Sequence, residues 1–193
     1  WLAGLNIKYF LYSTSALLIS LPFIISFLKP YQKLRILTFI DPDRDPLGAG
    51  YQIIQSKIAV GSGGFTGKGF LKGTQSYLEF LPEKHTDFIF TLFAEEHGFL
   101  GSLGLLLIYT IMIYRIINIG RISRSYFSKL FCYGYGSAIF FYVTVNMSMV
   151  LGLLPIVGSP LPIMSYGGSS MLATMIGFSI VMSAKINHKQ LIA

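Results

Sequence analysis

Asp87 ends the polar run Glu83-Lys-His-Thr-Asp87 and stands directly before an apolar stretch, Phe88 to Tyr114, that reads as a membrane helix. Inside that stretch, about two turns in, come Glu95, Glu96 and His97. Carboxylates at membrane depth are costly, and they mark proton transfer, ion pairing or substrate contact by default. Thr86 or Asp87 could instead serve as a helix cap, where a negative charge suits the dipole. A cap does not account for Glu95 and Glu96. Eight residues of helix turn about 80°, which puts Glu95 nearer the face of Asp87 than Glu96.

Two further stretches have the residue types for anion binding. Gly61-Ser-Gly-Gly-Phe-Thr-Gly-Lys-Gly69 resembles a phosphate-cradling loop, but Ser62 and Gly69 break the Walker A spacing and no register gives G-x-G-x-x-G, so no nucleotide is expected. Six glycines between Gly61 and Gly73 still expose backbone N–H groups beside Lys68 and Lys72, which suits an anionic head group. The alternative is a flexible surface loop. Pro155 to Ser170 carries three prolines and a Tyr-Gly-Gly-Ser-Ser run, predicting a rigid turn and a helix capped by Ser169 and Ser170 whose N-terminus could face a phosphate. Asp41, Asp43 and Asp45 alternate like a calcium loop, but Pro46 and Gln52 occupy the positions that need Gly and Glu; a turn braced by Arg44 is expected. Asn146 reads as an interhelical hydrogen bond, and Cys132 with the Met, Tyr and Phe residues as packing.

The elements that position these residues follow from composition. The chain has 193 residues, 53% hydrophobic against 12% charged, with a mean hydropathy of +0.62. A water-facing surface cannot be covered with so few charges, which excludes disorder, a nucleic-acid-binding tail and an ordinary cytosolic enzyme. Four runs approach the length needed to span about 30 Å of hydrocarbon: 9–28, 88–114, 130–154 and 163–184. The fold class is therefore all-α and membrane-integral, with four transmembrane helices in a single unit over residues 1–193. One cysteine leaves no internal disulfide. With Trp1 first and no leader pattern, the sequence reads as a piece of a longer protein.

The net charge of +7 fits cytoplasmic loops better than nucleic acid. Arg115, Arg121, Arg124 and Lys129 lie between spans two and three without an acid, and Lys185, His188 and Lys189 follow the last span. The tail is thus placed in the cytoplasm and the large loop 30–87 outside. Within that loop, Tyr31–Ile40 and Tyr51–Val60 predict short helices on the membrane surface, joined by the turn cluster 41–46.

Several of these segments together resemble one family. Asp45-Pro-Leu-Gly-Ala-Gly-Tyr-Gln52, Gln55-Ser-Lys-Ile-Ala-Val-Gly-Ser-Gly-Gly64 and Gly67-Lys-Gly-Phe70 are similar to motifs of the bacterial SEDS proteins (shape, elongation, division and sporulation). So are Phe80-Leu-Pro-Glu-Lys-His-Thr-Asp-Phe-Ile-Phe90, Ala94-Glu-Glu-His-Gly98 and Pro160-Leu-Pro-Ile-Met-Ser-Tyr-Gly-Gly-Ser-Ser170. The glycine-rich pieces look more like the rod-shape branch than the division branch.

The resemblance implies the last four helices of a ten-helix fold in the bacterial cytoplasmic membrane, with the large loop between helices seven and eight. It implies a peptidoglycan glycosyltransferase that polymerises lipid II during elongation, with inversion, beside a class B penicillin-binding protein. The family's essential acid falls on Asp87, as general base for the attacking sugar hydroxyl. Lys68, Lys72, Lys84, Glu95, Ser169 and Ser170 are the expected substrate contacts, and a divalent cation (Mg or Mn) or those lysines would neutralise the pyrophosphate. Alternatives are a lipid II transporter without polymerase activity, or an inactive fragment of a split gene.

Overall fold

The computed structural model describes residues 6–45, 48–74 and 85–188 and is built of helices. They are α1 (Ile7–Phe27), α2 (Pro30–Ile40), a 3-10 turn (Pro42–Arg44), α3 (Ala49–Ser62), α4 (Ile89–Ile122), α5 (Tyr126–Val150) and α6 (Gly168–Ile186). Among the described residues, α4, α5 and α6 are long and apolar enough to cross a membrane. The first apolar run forms α1, which at 21 residues extends about 31 Å.

The short helices match their local signals. Pro30 sits in the first turn of α2, and the Lys29 N–H donates to Gln32 Oε1 at 2.9 Å, satisfying an end group. Arg44 Nε lies 3.0 Å from Asp41 Oδ2, bracing the turn as expected. Asp45 Oδ2 accepts the Ala49 N–H at 2.9 Å where α3 begins. Helix α3 also docks on the long helices: Ile53 and Ala59 are buried, and Ser56 Oγ donates to Val150 O of α5 at 2.9 Å. The core lies mainly where α4 meets α5, around Phe88, Phe90, Ile116, Ile139, Val143 and Met149.

Several boundaries differ from expectation. Helix α4 continues through Arg115 and Arg121, and only residues 123–125 separate it from α5. The basic loop 115–129 is therefore mostly helix: arginine is a good helix former, and its charge suits a C-terminal turn. Helix α5 spans 126–150, not 130–154, because the chain turns at Gly152 with φ +66. Helix α6 starts at Gly168, not Ile163; Pro160 and Pro162 hold the preceding segment out of helix. Helix α4 begins at Ile89, two residues past Asp87, with Phe88 in the N-cap position.

Candidate active site around Asp87

Residues 85–88 form a turn before α4. The carbonyls of residues 85–87 are taken by elements far along the chain. Tyr166 N–H donates to His85 O at 2.9 Å, Ser165 Oγ to Thr86 O at 2.7 Å, and Asn146 Nδ2 to Asp87 O at 2.8 Å. The same Asn146 amide donates to Ser159 O at 2.6 Å, and Ser165 Oγ accepts the Leu161 N–H at 2.6 Å. Phe88, 1% exposed, fills the core directly after Asp87. The segment is thus held by three consecutive hydrogen bonds and one apolar anchor.

The Asp87 side chain is half-buried and faces the turn at Gly158. A Cβ at Gly158 would lie 3.3 Å from Asp87 Oδ2, and Gly158 has φ +76, so glycine keeps that turn open beside the carboxylate. Gly158 and Ser159 also line a cavity of about 440 Å3 between α5 and α6, with Tyr142, Ser170 and Thr174 on its walls. Tyr109 Oη donates to Pro162 O at 2.6 Å and ties the same proline-rich segment to α4.

Glu95 belongs to a second structure on the same helix. Helix α4 is broken at Gly98, with φ +67 and ψ −162. Across that break, Phe99 and Leu100 cannot reach Glu95 O and Glu96 O, their ordinary acceptors four residues back. The glycine-rich loop supplies both sides of the two lost rungs. Phe99 and Leu100 donate to Gly64 O and Phe65 O at 2.9 and 3.1 Å, while Lys68 and Gly69 N–H donate to Glu95 O and Glu96 O at 3.1 and 3.0 Å. A Cβ at Gly63 would meet Ala94 O, at Gly67 Glu96 O, and at Gly98 the Gly67 nitrogen. Only glycine allows so close an approach of two backbones.

This corrects two readings of the loop. It is not a loose surface loop, and its N–H groups are not a free anion cradle: those of Gly63, Gly64, Gly67, Lys68, Gly69 and Lys72 all donate to backbone carbonyls. The Lys68 ammonium is engaged as well, 2.8 Å from Glu95 Oε1 and 2.9 Å from Thr74 Oγ1. Glu95 is fully buried, so the charge on each side matters more than it would in water.

The other expected contacts are scattered. Lys72 is exposed, and Lys84 lies outside the described residues. Ser169 and Ser170 fall inside the first turn of α6 and do not cap it; the N-cap is Gly167. Ser170 Oγ instead donates to Gly167 O at 3.0 Å, and Ser169 is exposed. Asn146 does not bridge helices, as its type suggested, but clamps two loop carbonyls. No periodic signal marks that role.

Comparisons with known proteins bear on the family and the fold. The chain is 53% identical over 161 residues to the peptidoglycan glycosyltransferase MrdB of Escherichia coli K12, covering 83% of this chain and 44% of MrdB. It is 43% identical to the peptidoglycan glycosyltransferase RodA of Treponema pallidum, over 85% of this chain and 37% of that protein. A chain of a solved peptidoglycan synthase complex superposes with a TM-score of 0.75 at 37% identity, covering 97% of this chain and 51% of that one. The chain thus spans about half the length, or less, of the proteins it matches. Residues 1–190 match the model of the FtsW/RodA/SpoVE cell cycle proteins, and the chain belongs to this SEDS family of multi-pass membrane proteins.

Proposed function

We propose that the chain forms the catalytic part of a RodA-type peptidoglycan glycosyltransferase, the last four of ten membrane helices, which polymerises lipid II during cell elongation. Asp87 is its general base. The carboxylate accepts the proton of the acceptor sugar's 4-hydroxyl as that oxygen attacks the anomeric carbon of the donor. The bond to lipid pyrophosphate breaks, and the configuration inverts. The observation carrying this reading is the fixed backbone of Asp87, held through Asn146, Ser165 and Tyr166, with its carboxylate at the Gly158 turn beside a cavity. Catalysis of this kind rests on placing a base within hydrogen-bond reach of the proton it removes.

On this reading residues 30–87 face the outside of the bacterial cytoplasmic membrane, the C-terminus lies in the cytoplasm, and a class B penicillin-binding protein is the partner. The activities of the relatives support the reaction, and the solved synthase complex supports the partner. A divalent cation would help the pyrophosphate leave. Among the described residues, however, no group of three or more His, Cys, Asp or Glu side chains is placed to hold one, and the steps above use none. The transporter reading rested on acids at membrane depth; Glu95 is engaged by Lys68, and no observation favours it.

The test is polymerisation of lipid II by the chain completed with the N-terminal part of MrdB. Asp87→Asn keeps the shape but cannot take up a proton, and should lower the rate by roughly 100-fold or more. Asp43→Asn, in the braced turn, should remain near the parent rate. A normally expressed Asp87→Asn protein that polymerises at the parent rate would overturn the assignment. A parent that moves lipid II without forming polymer would favour the transporter.

A further inference from the structure

We infer that Asn146 is a positioning residue for Asp87. The inference rests on the reading of Asp87 as the base. Asn146 stands on α5 with no exposed surface, and its amide donates to two carbonyls from different parts of the chain. One belongs to Asp87 itself, at 2.8 Å; the other belongs to Ser159, next to Gly158, at 2.6 Å. Those two peptide units carry the carboxylate and the turn that the carboxylate faces. A single planar group with two N–H bonds therefore sets their separation.

The remaining atom of the amide argues the same way. Asn146 Oδ1 is buried with no hydrogen-bond partner among the described residues. An unsatisfied buried acceptor is a cost that an apolar residue of similar shape would avoid. A side chain serving packing alone at this place in an apolar helix would be leucine or methionine. The amide is explained by what its two donors hold.

The experiment uses the chain completed with the N-terminal part of MrdB and compares the parent with Asn146→Leu. Two readouts are taken: lipid II polymerisation kinetics, and amide hydrogen exchange of the peptide covering residues 85–91. Loss of the clamp should lower kcat at least about 10-fold while KM for lipid II stays within about 2-fold, the pattern of an interaction used in the transition state. Exchange in residues 85–91 should rise while that of α6 is unchanged. A parent-like kcat, or a fall in kcat with unchanged exchange at 85–91, overturns the inference. If the parent forms no polymer, the proposed function fails, and the exchange comparison alone decides whether Asn146 holds the segment. Should Asn146→Leu not fold, Asn146→Asp, of the same shape, takes its place and must give the same two results.

Discussion

The Lys68 ammonium lies 2.8 Å from Oε1 of Glu95, a carboxylate with no exposed surface, and joins the glycine-rich loop to the half-helix that follows Asp87. Removing Lys68 takes a cation away from a carboxylate that is fully buried. Lys68→Met should therefore destabilise the protein by about 3 kcal/mol, while Lys68→Met combined with Glu95→Gln should recover most of that loss. Thermal unfolding of the purified protein in detergent, run as a double-mutant cycle, reads the coupling. Additive losses would mean that the pair contributes nothing as a pair.

The break at Gly98 makes a second, sharper prediction. Gly67 and Gly98 both have positive φ, and a Cβ at either would overlap backbone of the other segment. Gly98→Ala or Gly67→Ala should each cost about 3 kcal/mol from backbone strain and overpacking together. Gly104 lies six residues on in the same helix with open space around its Cβ position. Gly104→Ala should leave stability unchanged or raise it by up to about 1 kcal/mol. Equal losses at all three positions would contradict the interlocked geometry.

What was legible in the sequence divides along local and long-range lines. Helices α2 and α3 follow from the apolar spacing of Tyr31–Ile40 and Tyr51–Val60 and end within two residues of those bounds, and the Arg44–Asp41 brace follows from the charges clustered at that turn. Asp87 stands out by its motif. The groups that hold it do not, because Asn146 reaches Asp87 across 59 residues and Ser165 reaches Thr86 across 79, and no spacing rule encodes such a contact. Gly98 appears in the sequence only as the last residue of the Ala94-Glu-Glu-His-Gly98 motif. A lone glycine in a helical pattern is usually tolerated, and the break became evident only with the loop that fills it.

Membrane orientation can be checked at sites the structure shows to be accessible. Arg124, in the short connection between α4 and α5, and Lys72, in the glycine-rich loop, are both exposed, whereas Ser123 is 8% exposed. With the native Cys132 buried, background labelling should be low. In intact cells an impermeant thiol reagent should label Lys72→Cys and leave Arg124→Cys unlabelled until the cells are opened. The reverse pattern would put Asp87 on the cytoplasmic side and remove its access to an outward-facing lipid-linked substrate.

Ser165 offers a test of the clamp that is independent of Asn146. Its hydroxyl accepts from Leu161 N–H at 2.6 Å and donates to Thr86 O at 2.7 Å, so one oxygen joins the proline-rich segment to the residue before Asp87. Ser165→Ala removes both bonds at a site that is 4% exposed, and should cost about 2 kcal/mol. Tyr109→Phe removes the bond from α4 to Pro162 O in the same segment and should cost about 1 kcal/mol. Because both side chains restrain one loop, the double variant should lose less than the sum of the two, by about 0.5 kcal/mol or more. Unfolding in detergent measures all three proteins on one scale. Strict additivity would show that Pro162 and Ser165 respond separately, and that the segment does not hold Asp87 as a unit.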